Sequence, residues 1–262
     1  MTTVLAVHAH PDDVETLCAG TLALLARAGL QIIVATLTAG ECGTLGDAAD
    51  TARIRRAEAA SAAALIGADY LCAGLPDLGV FNDDRCRRAT VELIRQARPD
   101  IVIGPSPQDY HPDHEAAGLL VRDACFAASA PAYRTGEAAP LDAIPHLYFC
   151  DAIGARLRDG SPAPADFAVD VGAVMDLKRA MLQRHVSQIA WLAKQHAMAD
   201  FTAGMQAQAA RRGSEFGVAF AEAFRQYRHL PYPRTPLLQD RLGETVLRAP
   251  TARRSQDASQ QS

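Results

Sequence analysis

The feature that most constrains this chain is a rhythm in its first 128 residues: short, unbroken apolar runs alternate with longer stretches rich in Ala and Leu. Val4 to Val7, Gln31 to Leu37 and Asp100 to Gly104 stay apolar almost throughout, instead of at every second residue. A strand with one wet face alternates; a strand covered on both faces does not. These runs are therefore predicted as inner strands of a parallel sheet, with Tyr70 to Cys72 as another. Helices are predicted at Thr16 to Ala28, Thr51 to Ile66, Asp84 to Ala97 and Asp113 to Ala128. Gly29 and Gly67 close the first two, as glycines past a helix end commonly do. The expected fold class is α/β: a Rossmann-like parallel sheet sandwiched by helices.

After Ala128 the pattern changes. Pro, Ala and Gly thicken between residues 130 and 165, around one expected strand, His146 to Cys150. Helices are expected from Val174 to about Lys194 and from Asp200 to Arg212. The reading is one domain over residues 1–249: a core, 1–150, and a C-terminal extension, 151–249, lying over one side. Residues 250–262 are polar and low in complexity, and are expected to be a disordered tail.

Composition excludes several classes. A formal net charge of −4 gives no strong pull toward nucleic acid. The six cysteines form no C-x-x-C pair, which argues against a thiolate zinc site or a redox motif. No charged-then-apolar leader opens the chain and no apolar run reaches membrane-spanning length. The expectation is a cytoplasmic protein with reduced thiols and no membrane partner.

The first strand ends in VHAHPDDVE. A dinucleotide-binding domain would carry G-x-G-x-x-G there, so this loop is built for something other than a pyrophosphate. Pro11 should keep His10 extended and suits the first turn of a helix, where Asp12 and Asp13 would meet a partial positive charge. Capping alone would explain one aspartate. The stretch YHPDHE, after the strand ending at Gly104, repeats the device with His111, Pro112, Asp113 and His114. Carboxyl ends of parallel strands share one edge, where ligands bind. Catalytic zinc takes three protein ligands and keeps one position open. His10, Asp12, Asp13, His111, Asp113 and His114 exceed that number. The surplus suits a carboxylate base for a metal-bound water and a histidine donor for a developing oxyanion.

These motifs resemble the PIG-L/LmbE-like family of zinc-dependent N-acetylglucosaminyl deacetylases, including relatives in thiol-cofactor biosynthesis and chito-oligosaccharide deacetylation. VHAHPDDVE is similar to its A-H-P-D-D-x-E signature and YHPDHE to its H-P-D-H motif. LTAGECGT, IRRAEAASAAALIGA, GLPD, RHVSQIAWL and FAEAFR resemble further segments. The resemblance implies His10, Asp13 and His114 as ligands of one Zn2+ per subunit, with Fe2+ as another candidate metal. It implies Asp12 as general base, His111 as oxyanion-stabilising acid and Asp113 as the group orienting it. Arg55 would contact substrate, with Arg53 and Arg56 as neighbouring candidates, and Glu15 would support the site from behind. The implied reaction is hydrolysis of the acetamide of an N-acetylglucosamine-type sugar conjugate. The alternatives are a non-sugar N-acyl amine as substrate, or a non-catalytic sugar- or nucleotide-binding module. The PYPRTPLL segment resembles forms that assemble as homo-oligomers, trimers or hexamers.

Other residues carry weaker signals. His8 is expected to be buried and structural. Glu41 and Thr44 sit in a Gly-rich loop, either lining the site, with Glu41 on substrate, or serving the turn. Asp77 is a turn cap or a substrate contact. His185 and Ser187, two apart on an expected helix with Gln188, would not face each other, which excludes a serine hydrolase. His185 is left as packed or at the site edge. His146, His196 and His229 are expected to have ordinary structural roles. Trp191, Phe216, Phe220 and Phe224 are expected in the core or a subunit interface.

Overall fold

The computed structural model describes residues 1–195 and 201–248. The tail at 250–262 and His196 lie outside the described residues. The predicted strands appear as β1 (Thr3–His8), β2 (Gln31–Thr38), β3 (Asp69–Leu75), β4 (Ile101–Gly104) and β5 (His146–Cys150). They form a parallel sheet in the order β3-β2-β1-β4-β5. Each central strand is buried on both faces. Val4, Ala6, Ile101 and Ile103 join one core, while Leu5, Val7, Val102 and Leu147 join the other. That double burial is why these strands lack alternation.

One face is covered by α1 (Asp13–Leu17), α2 (Ala19–Arg27) and α3 (Ala48–Ala64); the other by α4 (Asp84–Ala97) and α5 (Pro112–Ala128). Local chemistry sets the boundaries. Asp47 and Asp83 cap α3 and α4 by accepting from Asp50 N at 2.9 Å and Cys86 N at 2.8 Å. The helix expected over Thr16 to Ala28 is two helices, interrupted at Cys18 (φ −143°). The break has a structural partner. The free N–H groups of Gly20 and Thr21, in the first turn of α2, donate to the Glu222 carboxylate at 2.9 and 2.7 Å.

Glu222 belongs to the extension, which does more than lie over one side. It adds β6 (Phe167–Asp170), β7 (Ala221–Gln226) and β8 (Val246–Arg248) to the same sheet, all antiparallel, in the order β5-β7-β6-β8. The sheet is thus mixed, and the extension continues it. Its helix α6 (Met175–Leu182) packs beside α1, α2 and α3, α7 (Val186–Gln195) beside α3, and α8 (Phe201–Phe216) against β7, β6 and α7. The helix expected from Val174 to Lys194 is broken between Leu182 and Val186, where His185 turns inward. A short α9 (Leu237–Leu242) follows. Buried Lys178 donates to Glu222 at 2.5 Å, and Arg212 grips Asp151 with two bonds of 2.7 Å. Phe224 is buried against Phe167, while Phe216 and Phe220 are half-buried. In the PYPRTPLL segment, Tyr232 and Leu238 are buried within their own chain.

Candidate active site

β1 has β2 on one side and β4 on the other, so the chain's winding reverses between β1 and β4. The carboxyl ends flanking such a switch point bound a crevice. The two His-Pro-Asp turns leave these two strand ends.

Three donor groups meet there. His10 Nδ1 lies 3.3 Å from His114 Nε2 and 3.5 Å from Asp13 Oδ2, and His114 Nε2 lies 3.3 Å from Asp13 Oδ1. Ligands about 2.0–2.1 Å from a tetrahedral zinc ion are about 3.3 Å apart. The spacing of this trio fits one such ion. Two other donor sets, His10 with His111 and His114, and His10 with Asp77 and Asp113, lie within 4.8 Å.

The outward ring nitrogens are held by carboxylates. His114 Nδ1 meets Asp109 Oδ1 at 3.1 Å, while His10 Nε2 meets Asp77 Oδ1 at 3.0 Å and Asp113 Oδ2 at 3.3 Å. Such partners fix the tautomer that turns the other nitrogen to a metal. Asp109 is also anchored, accepting from the N–H groups of His111 and Ile153 at 3.2 and 2.8 Å. It was not singled out in the sequence; the signal available was its place in the loop after β4. Burial opposes charge on both rings, yet the carboxylates win. Asp113, Asp13 and Asp77 hold His10 well above the usual range, and Asp13 with Asp109 lifts His114 to about 10. The same two histidines hold Asp13 well below its usual range against burial. This carboxylate-rich cradle demands positive charge, which protons or a metal ion can supply.

Asp12 stands apart from the trio. It precedes α1 with φ 101° and caps nothing with its side chain, which removes the capping explanation. Burial raises it to about 6, against the pull of Arg55 and with the charge of Asp13 adding to the rise. A carboxylate near that value is suited to accept a proton around neutrality.

His111 caps α5: its Nδ1 accepts from Asp113 N at 3.2 Å, which leaves Nε2 to carry the ring proton. Its ring stacks on His114 with centroids 4.7 Å apart. Burial, then His114 and His10, lower its pKa. The neutral ring is therefore a hydrogen-bond donor through Nε2. The Asp113 carboxylate, expected to orient His111, is bonded to His10 and to Leu78 N at 2.8 Å; the Asp113 backbone makes the bond to His111.

Of the three arginines, only Arg55 points inward. Its side chain is 4% exposed, against 71% for Arg53, and Arg56 is also exposed. Arg55 Nη1 donates to Gly40 O at 2.6 Å and Nη2 to Pro11 O at 2.7 Å. Glu41, expected on substrate, accepts from Asp77 N at 2.9 Å and so joins the loops after β2 and β3. Thr44 accepts from Gly46 N at 3.0 Å, a turn role.

The extension closes the back of the site. His185 Nε2 lies 3.4 Å from Glu15 Oε2, both buried. Ser187 donates through its N–H and hydroxyl to Glu58 at 2.8 and 2.6 Å. His185 and Ser187 thus have separate carboxylate partners, in keeping with the rejection of a serine hydrolase. His8 is fully buried, with Nε2 3.7 Å from Cys150 Sγ and 3.9 Å from Cys18 Sγ.

Comparison with known proteins agrees with this architecture. The family described as PIG-L: GlcNAc-PI de-N-acetylase matches residues 5–125. Diacetylchitobiose deacetylase of Thermococcus kodakarensis is 31% identical over 193 residues, covering 71% of this chain and 69% of the relative. The solved N,N'-diacetylchitobiose deacetylase of Pyrococcus horikoshii superposes with a TM-score of 0.74 at 23% identity, covering 90% of this chain and 88% of that one. A Pseudomonas putida 4-carboxy-2-hydroxymuconate hydratase reaches 0.71 at 23% identity, covering 90% and 100%. At that identity the likeness is one of fold alone, and two different reactions share it. The sequence match is what separates them: the chain belongs to the PIG-L family, whose deacetylases are hydrolases of amide C–N bonds.

Proposed function

We propose that this protein is a zinc-dependent N-deacetylase that hydrolyses the acetamide of an N-acetylglucosamine-type sugar. The observation that carries the reading is the trio His10, Asp13 and His114, with donor atoms 3.3–3.5 Å apart, beside a buried aspartate that takes no part in it. Binding a sugar would need no such pair of neighbouring carboxylates with different surroundings. The names of the family and of its Thermococcus relative supply the substrate class.

His10, Asp13 and His114 would hold the ion. When bound, zinc polarises a carbonyl and brings the pKa of water beside it to about 7. Asp12 takes the proton of the attacking water and returns it to the leaving nitrogen, which a neutral amine requires. His111 donates from Nε2 to the oxygen on which negative charge develops. Asp109, Asp77 and Asp113 keep His114 and His10 turned toward the ion.

The test is release of acetate from N,N'-diacetylchitobiose and N-acetylglucosamine by protein of measured zinc content, with a chelator control and Fe2+ as a second metal. Stoichiometric zinc and chelator-sensitive acetate release are expected. Protein that takes up no divalent metal, or releases no acetate from any N-acetyl sugar when loaded, defeats the reading.

A further inference from the structure

The loop after β3 opens with the turn Pro76-Asp77-Leu78-Gly79, closed by a bond of 3.0 Å from Gly79 N to Pro76 O. Leu78, its third residue, has φ 60°. Where a turn needs positive φ there, Gly or Asn usually supplies it, because a bulkier side chain costs energy. Such a residue persists only where its surroundings over-determine it, and such places cluster at functional sites. Here the Leu78 N–H lies 2.8 Å from Asp113 Oδ2 and 3.0 Å from Asp77 Oδ1, on the two carboxylates that hold His10 Nε2. The strain does not serve burial, since Leu78 is 58% exposed. It sets an uncovered leucine at the edge of the crevice.

Leu78 is not alone. Phe81 in the same loop is 61% exposed, Leu45 in the loop after β2 is 62% exposed, and Tyr110 in the loop after β4 is 71% exposed. Asp77 ties the first two loops together: its carboxylate accepts from Cys42 N at 2.9 Å, and its N–H donates to Glu41. Tyr110 stands edge-on to His111 and His114, with ring centroids 5.7 and 5.8 Å apart. A group that touches Leu78 and Tyr110 therefore lies beside the donor trio. Polar side chains on the loops after β2 and β3 already have partners. Glu41 accepts from Asp77 N, Thr44 from Gly46 N and Asp83 from Cys86 N, while Asn82 bonds to Asp123 and Arg87. Against such a rim, a second hexose would give up water from its hydroxyls without finding new partners. An apolar group gains by leaving water there.

We propose that Leu78 and Phe81, with Tyr110, form a subsite for an apolar aglycone, so that the substrate is a hydrophobic glycoside of N-acetylglucosamine and not a longer oligosaccharide. The proposal rests on the deacetylase reading for the sugar and on the rim for the group attached to it. An aglycone sits on the ring carbon next to the one that bears the acetamide, which brings it to the rim when the acetamide is at the trio. The experiment measures acetate release by zinc-loaded protein from the methyl and phenyl glycosides of N-acetylglucosamine, both anomers, and from N,N'-diacetylchitobiose. For the better phenyl glycoside, kcat/KM should exceed that of the methyl glycoside and of the disaccharide at least about tenfold. Leu78→Asn combined with Phe81→Asn keeps a residue suited to the turn. It should cut that advantage to about twofold or less, leaving zinc per chain and hydrolysis of the methyl glycoside unchanged. Phe81→Asn alone leaves the turn intact and should lose part of the advantage, which reads the subsite even if the double variant does not fold. Equal rates for phenyl and methyl glycosides, a preference for the disaccharide, or an advantage that survives both variants overturns the proposal. So does a double variant of altered mass in sedimentation, which would make the rim a contact between copies of the chain. If wild type releases no acetate from any of these compounds, the deacetylase reading fails, and calorimetric binding of the phenyl glycoside decides the subsite separately. Binding weakened in Phe81→Asn then supports it, and equal binding overturns it.

Discussion

His10-Pro11-Asp12 and His111-Pro112-Asp113 follow neighbouring parallel strands, yet only the second runs straight into a helix. There Pro112 is the first residue of α5, and His111 caps it through Nδ1. In the first turn Asp12 swings to positive φ, and α1 starts one residue later at Asp13. The same three residue types therefore present different atoms. The regular turn offers His114 in the first turn of α5, with His111 beside it. The irregular turn separates Asp12 from Asp13, so that two adjacent carboxylates meet different partners: Asp12 lies beside Arg55 and Asp13 beside His10 and His114. The lesson is that a repeated motif presents unlike groups when one copy leaves the helical path.

Removing the metal should affect both turns together and produce the largest effect. We expect a chelated sample to lose all measurable hydrolysis. Its melting temperature should fall by about 10 °C where free zinc had been about 1,000-fold above Kd, a contribution of about 4 kcal/mol. Scanning calorimetry with and without zinc measures this.

Asp12→Asn isolates the irregular turn. Hydrolysis should drop about 10²–10⁴-fold, with zinc content unchanged. A variant that stays active would remove the base assignment and, with it, the contrast between the turns.

Asp109→Asn probes the regular turn without touching a donor atom. Loss of the carboxylate behind His114 should weaken zinc binding about 10–100-fold, read by competition with a chromogenic chelator. Unchanged affinity would show that the α5 framework alone orients the ring.

The metal-free protein should also respond to pH. His114 is raised to about 10 from 6.5, and His10 is raised as well. A raised histidine contributes stability in full below its unfolded value and loses it as pH rises through its folded value. The melting temperature of the chelated protein should therefore decline between about pH 6.5 and 10. Zinc competes with those protons, so its apparent affinity should rise over the same window. A flat profile for the chelated protein would count against the carboxylate cradle.

The smallest effect is expected for Pro112→Ala, since proline at the first helical position is favourable but dispensable. A loss below about 1 kcal/mol, or about 2–4 °C, is expected with activity nearly intact. A collapse of activity would show that the regular turn is as finely set as the irregular one.

Sequence and structure divide along a physical line. The parallel half was legible because its strands are buried on both faces, and continuous apolar runs such as Val4 to Val7 record that directly. The paired turns were legible because proline constrains its neighbours locally. The extension was harder to read. β7 carries Glu222 in its interior, a charge that makes sense only against Lys178 and the N–H groups of Gly20 and Thr21, 44 and about 200 residues away in sequence. The split of the first helix at Cys18 was hidden for the same reason, because the group that caps α2 lies on another strand.

Within the site, the residue types and their strand-end positions are properties of the sequence, which offers His10, Asp12, Asp13, His111, Asp113 and His114 at two strand ends. Which atoms converge is not. That Arg55 and not Arg53 faces inward follows from the side of α3 that packs on the sheet. That Asp113 supports His10 instead of His111, and that Asp109 stands behind His114, follows from the adjacency of β1 and β4. Local sequence sets what each segment can offer. Long-range contacts set the direction in which it is offered, because hydrogen-bond partners distant in sequence leave no local pattern to read.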